Sequence, residues 1–160
     1  MNGTIGAEAM NDAKNSTRSD PAGAPPRPGL VTTPLTQRFW DAANDDELLI
    51  QRCRDCGHRQ HYPRNICTGC WSEQLEWQAA SGRGTVWTFT VVEKPGHPAW
   101  AGETPYTIAL VELEEGPRLM TRLIDCAPDG VAVGMDVVLR PTRDEQLGQT
   151  LITFAPAASD

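Results

Sequence analysis

Residues 51–70 read QRCRDCGHRQHYPRNICTGC, and the rest of the chain is best understood outward from them. Cys53-x2-Cys56, ten intervening residues and Cys67-x2-Cys70 make two CxxC knuckles. Each knuckle turns two sulfurs to one side of a tight turn. Together they offer four thiolates in the tetrahedral set that Zn²⁺ prefers, with Zn–S about 2.3 Å. The gap suits a zinc ribbon, in which a hairpin joins the knuckles. Gly57 and Gly69 stand where a knuckle needs positive φ or a close backbone approach. Four thiolates leave no coordination position for water or substrate. The expected metal is therefore a structural Zn²⁺, one per chain, held by Cys53, Cys56, Cys67 and Cys70.

Other uses of these cysteines are less consistent with the surrounding sequence. Disulfides need an oxidising compartment. The first thirty residues contain no linked apolar run of the secretory kind, so the expected location is the cytoplasm. A redox CxxC normally opens a helix in a βαβ unit, and no such unit is legible here. The ligand set also leaves an iron–sulfur centre open. His58 and His61 lie near enough to compete as ligands, but with four cysteines present they read as surface residues or neighbours of the metal shell. Cys126 has no partner in the pattern and reads as a small buried residue. Arg52, Arg54, Arg59 and Arg64 face Asp55 alone in this stretch, in a chain of net charge −7. They either offset the negative charge of a metal–thiolate centre or contact a phosphate.

The 160 residues suit one domain or two very small modules. Residues 1–32 are small and polar, with four prolines between Pro21 and Pro28. Such a stretch buries too little apolar surface to offset its ordering entropy, so it reads as a tail that is disordered or ordered only by a partner. Residues 33–47 read as a helix. Thr33 is placed to cap it, Pro34 suits its first turn, and Leu35, Phe39 and Ala43 line one edge beside Trp40. Acidic residues up to Glu47 end it, and Leu48-Leu49-Ile50 begins a strand.

The ribbon is expected to span residues 48–75 and a β-rich unit residues 76–156, with 157–160 as a short tail. Strands are expected at Thr85–Val92, Tyr106–Leu113, Arg118–Ile124, Asp136–Arg140 and Thr150–Phe154, with turn residues between them. Five short strands without helical periodicity predict a small closed barrel of the oligonucleotide/oligosaccharide-binding (OB) size. No apolar run approaches the ~20 residues of a membrane-spanning helix.

Catalytic signals are sparse. His97 lies in the Pro95–Pro105 loop near Glu93 and Glu103, the one candidate for an acid/base pair. There is no phosphate-cradling glycine loop, no G-x-S-x-G elbow and no H-E-x-x-H motif. No catalytic residue is assigned, and no cofactor-binding residue beyond the metal ligands is legible. The same loop, with Trp100 and three prolines, reads as a stiff projecting contact surface. An alternative function is a nucleic-acid module, since Trp87 and Phe89 alternate as base stacking would require. The acidic balance and the presence of only Lys14 and Lys94 among lysines weigh against it.

Several of these segments together carry a family resemblance. The helix with Phe39-Trp40, then Leu49-Ile50-Gln51-Arg52-Cys53-x-x-Cys56-Gly57 and Tyr62-Pro63-Arg64-x-x-Cys67-x-x-Cys70, resembles the DUF35 family. So do Gly84 to Thr90, Pro105-Tyr106 and Glu115 to Met120, and the likeness covers about residues 33–156. The resemblance implies a mainly β protein with an N-terminal helix, a rubredoxin-like zinc ribbon and a C-terminal five-stranded OB-fold barrel. It also implies an accessory subunit in a hetero-oligomer with a thiolase-like or MaoC-like partner. Such partners include acetyltransferases, enoyl-CoA hydratases and retro-aldolases of steroid side-chain breakdown, with a coenzyme A thioester as the substrate of the complex. Catalytic residues are expected on the partner. Phe39, Trp40 and the Trp100 loop are the expected contacts with it.

Overall fold

The computed structural model describes residues 25–158. Of the tail expected over residues 1–32, residues 1–24 lie outside the described part, as do the last two residues of the chain.

The described residues form one α-helix and ten strands, with two short 3₁₀ turns. Helix α1 runs Gln37–Asn44, three residues later than the capping pattern suggests. The N-cap is Thr36, with no side-chain capping bond, and Thr33 acts one turn earlier. Its Oγ1 accepts from Thr36 N at 3.3 Å, and its carbonyl accepts from Thr36 N and Gln37 N in a tight turn that leads into the helix. Asp46, at φ 61°, breaks the helix at its other end. Phe39 and Ala43 are buried on the edge predicted for them.

Three strands follow in an antiparallel sheet of order β2-β1-β3: β1 Leu49–Cys53, β2 Arg59–Gln60 and β3 Leu75–Ala79. Strand β3 straddles the expected boundary at 75/76. It pairs with β1 along its whole length, from Leu49↔Ala79 to Cys53↔Leu75.

The remaining chain closes a barrel from β4 Arg83–Val92, β5 Tyr106–Leu113, β6 Arg118–Leu123, β7 Asp136–Leu139 and β10 Thr153–Pro156. All pairings are antiparallel except β10 with β6. The interior alternates as a half-buried sheet demands, with Thr107, Ala109, Val111 and Leu113 of β5 inside. The strand expected over Thr150–Phe154 is two strands. Gln149–Leu151 is β9, which pairs with β8 Thr142–Asp144 in a separate hairpin, and β10 begins only at Thr153. Thr150-Leu151-Ile152-Thr153-Phe154 is one unbroken run of strand-forming residues, and such composition carries no sign of a change of partner.

One expectation about β4 is overturned. Val86 pairs with Val111 and Thr88 with Leu110, so Trp87 is the extra residue of a β-bulge. The bulge reverses the alternation beyond it. Phe89 turns inward against the core while Trp87 stays outside, 48% exposed and covered by the Arg118 guanidinium at 3.4 Å from its ring centre. The two aromatics therefore share no stacking face.

Helix, ribbon sheet and barrel meet in a single hydrophobic cluster. Phe39, Leu48, Leu49 and Ile50 pack in it with Val86, Val111, Leu119, Val137 and Phe154. Gly84 of β4 faces β5 with no room for a side chain, since a Cβ there would lie 2.5 Å from the Glu112 carbonyl oxygen and 2.8 Å from Val111 Cγ1. Both neighbours are held by the ladder and the core. Gly84→Ala is therefore expected to destabilise the chain by about 1–3 kcal/mol, read as a lower urea midpoint at unchanged m-value.

Candidate metal centre

The two knuckles present the same backbone to the site. In the first, Cys53 N donates to His58 O and Gly57 N to Cys53 O. In the second, Cys67 N donates to Ser72 O and Trp71 N to Cys67 O. Position 57, just after the first CxxC, has φ 73°, and its counterpart Trp71 has φ 66°. The second knuckle thus places a tryptophan where the first places a glycine, in a region that bulky side chains rarely adopt. Gly69 serves by close approach instead, since a Cβ there would lie 3.2 Å from His58 Cγ.

All four sulfurs lie within 4.8 Å of one another. Cys53 Sγ and Cys70 Sγ are 3.6 Å apart, and Cys56 Sγ and Cys67 Sγ 3.7 Å. Two sulfurs bound to one ion at about 2.3 Å and a tetrahedral angle stand roughly 3.8 Å apart, so the cluster fits one tetrahedral ion of the zinc type. Cys53 and Cys67 form the buried side of the cluster, and Cys56 and Cys70 the exposed side. The backbone N–H of Cys56 lowers the Cys53 thiol to about 7. The Ser72 N–H favours a Cys70 thiolate, but the Cys56 sulfur, burial and the other sulfurs outweigh it and push that thiol up to about 12. Sulfurs this close resist ionising together, and a dication relieves that repulsion by displacing their protons.

Two glutamines hold the second knuckle in place, and no sequence motif announces them. Gln51 and Gln60 are cross-strand partners on β1 and β2, each 5% exposed. Gln60 Nε2 donates to Gln51 Oε1 at 2.9 Å and to Ile66 O at 3.2 Å, while its Oε1 accepts from Thr68 N at 2.9 Å. Gln51 pairs with Arg64 in both directions, accepting from its N–H at 2.9 Å and donating to its carbonyl at 3.0 Å. The loop from Arg64 to Thr68 thus hangs from two side-chain amides, which substitute for a missing strand partner.

Comparison with known proteins fits this geometry. Residues 40–76 match the rubredoxin-like zinc ribbon domain of ChsH2, and residues 77–140 its C-terminal OB-fold domain. A DUF35 domain-containing scaffold protein of Methanocaldococcus jannaschii is 34% identical over 110 residues, covering 68% of this chain and 77% of the relative. The chain belongs to the DUF35 family. This DUF35 chain is also 41% identical, over 88% of its length, to a probable enoyl-CoA hydratase alpha subunit of Thermomonospora curvata, of which it spans 43%. Among solved structures, that of the Ltp2-ChsH2(DUF35) aldolase aligns with a TM-score of 0.71 at 40% identity, over 82% of this chain and all of the matched one.

The remaining site residues in this DUF35 chain are placed as follows. His58 is exposed and its Nε2 lies 3.0 Å from Thr68 Oγ1. His61 is neither a ligand nor a surface residue. It packs edge-on to Phe39 at 5.4 Å between ring centres and against Tyr62 at 4.5 Å, and its Nδ1 has no hydrogen-bond partner among the described residues. Arg52 and Arg54 converge on Glu76, at 3.3 and 2.8 Å. Phe39, expected as a partner contact, is 6% exposed and belongs to the chain's own core, because a helix this short is stable only with its apolar edge packed. Trp40 is half-buried beside it. The loop around Trp100 does not project. It coils into a short 3₁₀ turn, Pro98–Glu103, whose start is capped by His97 Nδ1 accepting from Ala99 N at 3.2 Å. Glu103 is paired with Arg27 and Arg122, so it does not serve as an acid/base neighbour of His97. Cys126 is partly buried against the core, and burial raises its thiol.

Two measurements follow from this arrangement. Gln60→Leu leaves the Ile66 carbonyl and the Thr68 N–H without partners, and is expected to cost about 1–3 kcal/mol of stability and to weaken metal retention against a chelator competition series. Burial holds the His61 imidazole down at about 4, against an ordinary value of 6.5. Its neutral form is favoured in the fold, so its contribution is complete above pH 6.5 and is lost as pH falls from there toward 4. His61→Phe is expected to be about 2 kcal/mol less sensitive than the parent to a change from pH 7 to pH 5, in parallel urea titrations.

Proposed function

We propose that this chain is a non-catalytic accessory subunit. In this reading it binds a thiolase-superfamily or MaoC-like partner in a hetero-oligomer and helps to position or channel a coenzyme A thioester, as in a retro-aldolase of side-chain degradation. The observation that carries this is the likeness to the ChsH2(DUF35) chain of an aldolase with Ltp2, at 40% identity along the whole of that chain. One zinc ion, held by Cys53, Cys56, Cys67 and Cys70, would fix the ribbon without taking part in chemistry, since four sulfurs complete its shell. Thiolate ligands stay reduced in the cytoplasm, which is the proposed compartment. No helix among the described residues is long and apolar enough to cross a membrane.

The proposed contact with the partner moves from Phe39 to Trp71. This indole is 76% exposed and stands at an uncommon positive φ on a turn that a bound metal would make rigid. Leu35, Pro63 and Ile66 lie beside it around a shallow apolar recess. A large rigid aromatic with an apolar surround is the composition of an interface anchor.

Co-expression with a thiolase-like subunit encoded beside it, followed by purification through a tag on this chain alone, tests the reading. The expected product is a stoichiometric complex with about one zinc per chain. Trp71→Ala is expected to lower partner recovery about tenfold or more at unchanged zinc content. A zinc-loaded chain that emerges alone, or one that turns over acyl-CoA without a partner, would sink the assignment.

A further inference from the structure

Residues 25–30 are poorly equipped to hold on to a barrel by their backbone. Pro25, Pro26 and Pro28 have no N–H, the segment has no regular structure, and Pro25, Pro26, Pro28 and Gly29 are exposed. The segment nevertheless lies across two barrel loops as a strap. Leu30 N donates to Gln149 Oε1 at 3.1 Å on β9. The other attachment among the described residues is a single side chain, Arg27.

The Arg27 guanidinium enters a socket between the Trp100 turn and the β8–β9 hairpin. Its central carbon lies 4.3 Å from the centre of the Trp100 ring. One terminal nitrogen pairs with Asp144 Oδ2 at 2.5 Å and the other with Glu103. An aromatic face with two carboxylates at the edge suits a flat cation. A guanidinium can stack and donate in its own plane at once, whereas an ammonium cannot.

The socket is held together without help from its occupant. Asp144 Oδ1 accepts from Gln146 N and Leu147 N at 3.0 and 3.2 Å, so the hairpin itself orients this carboxylate. Burial alone would push the Asp144 carboxyl up, but Arg27 and those N–H groups outweigh it and hold it below its ordinary value. Glu103 is held by Arg122 through its other oxygen. With Arg27 withdrawn, two carboxylates would face the single charge of Arg122. The socket calls for a cation.

The occupant is the less secure half of the arrangement. Arg27 Nε is buried with no hydrogen-bond partner among the described residues, which weakens its hold. A segment with so few attachments opens at low cost. The strap can lift while the socket stays.

We propose that Trp100, Glu103 and Asp144 form a guanidinium-binding site, filled by Arg27 of the same chain and open to an arginine of another protein chain when the strap lifts. Tethering gives Arg27 an effective concentration of the order of mM, so a free peptide competes poorly with it. An arginine presented by a chain already docked nearby competes on equal terms. The site does not depend on the accessory role proposed above, and its test needs no thiolase-like partner.

Arg27→Ala empties the socket in the zinc-loaded full chain. Titration with a synthetic peptide of residues 25–32, up to about 5 mM, is expected to give a saturable change in tryptophan fluorescence. The parent chain is expected to show no such change, and adding Trp100→Phe to Arg27→Ala to remove it. The same peptide carrying Arg27→Lys is expected to bind about tenfold more weakly. Glu103→Gln in the Arg27→Ala background is expected to weaken the arginine peptide about tenfold at unchanged zinc content. Equal binding of the two peptides, binding of neither, or undiminished binding after Glu103→Gln each overturns the proposal. Equal binding by the parent chain does so too, because Arg27 would then not fill the site. An Arg27→Ala chain that fails to fold also overturns it, since Arg27 would then be a fixed part of the fold.

Discussion

Four sulfur atoms within 4.8 Å of one another form the constraint on which the ribbon depends. Without a cation, sulfurs this close resist ionising together, so the Cys53 thiol lies low while the Cys70 thiol is pushed up. With one, the two knuckles, ten residues apart in sequence, would become a single rigid body. The ribbon needs this because its sheet is small. Strand β2 has only two residues, and a sheet of that size has too little apolar surface to order itself.

The metal does not act alone. The buried pair Gln51 and Gln60 transfers the order of β1 and β2 to the loop that carries Cys67, bond by bond, and every amide group of the pair finds a partner. On the other side, Leu48 and Ile50 anchor the same strand in the barrel's core. Tyr62 adds a polar tie, its hydroxyl accepting from Met120 N at 3.3 Å on β6. Metal centre and barrel are thus mechanically continuous through β1 and the loop after β2. A subunit that positions something held elsewhere gains from such stiffness, because orientation tolerates little play.

The parts legible in the sequence were those with a strict local code. CxxC spacing leaves few alternatives for four cysteines, and the period-two strands Tyr106–Leu113 and Arg118–Leu123 stand almost where alternation puts them. Other features depended on partners that are distant in the chain. Nothing near Gln51 or Gln60 marks them as buried, since their significance lies in loops 4 to 17 residues away. Phe39 looks the same in sequence whether its edge meets its own core or another protein. The Trp87 bulge depends on how β5 passes beside it, and the change of partner at Ile152 on how the barrel closes. The Trp100 loop was legible as a stiff aromatic segment, but its folding onto the barrel depends on Arg27, more than seventy positions upstream.

The bulge at Trp87 also says something about how this barrel can vary over generations. On either side of it the ladder is regular, with Val86 inward against Val111 and Thr88 outward beside Leu110. Losing residue 87 would leave every neighbour on the face it already occupies. Losing 88 would let Trp87 take its outward place with the same result, whereas losing 86 would turn Trp87 inward against Val111. Position 87 is therefore a point where a lineage can gain or shed one residue without rebuilding the core. Relatives that differ in length by one residue in this strand would be expected to differ here, and to keep the same interior.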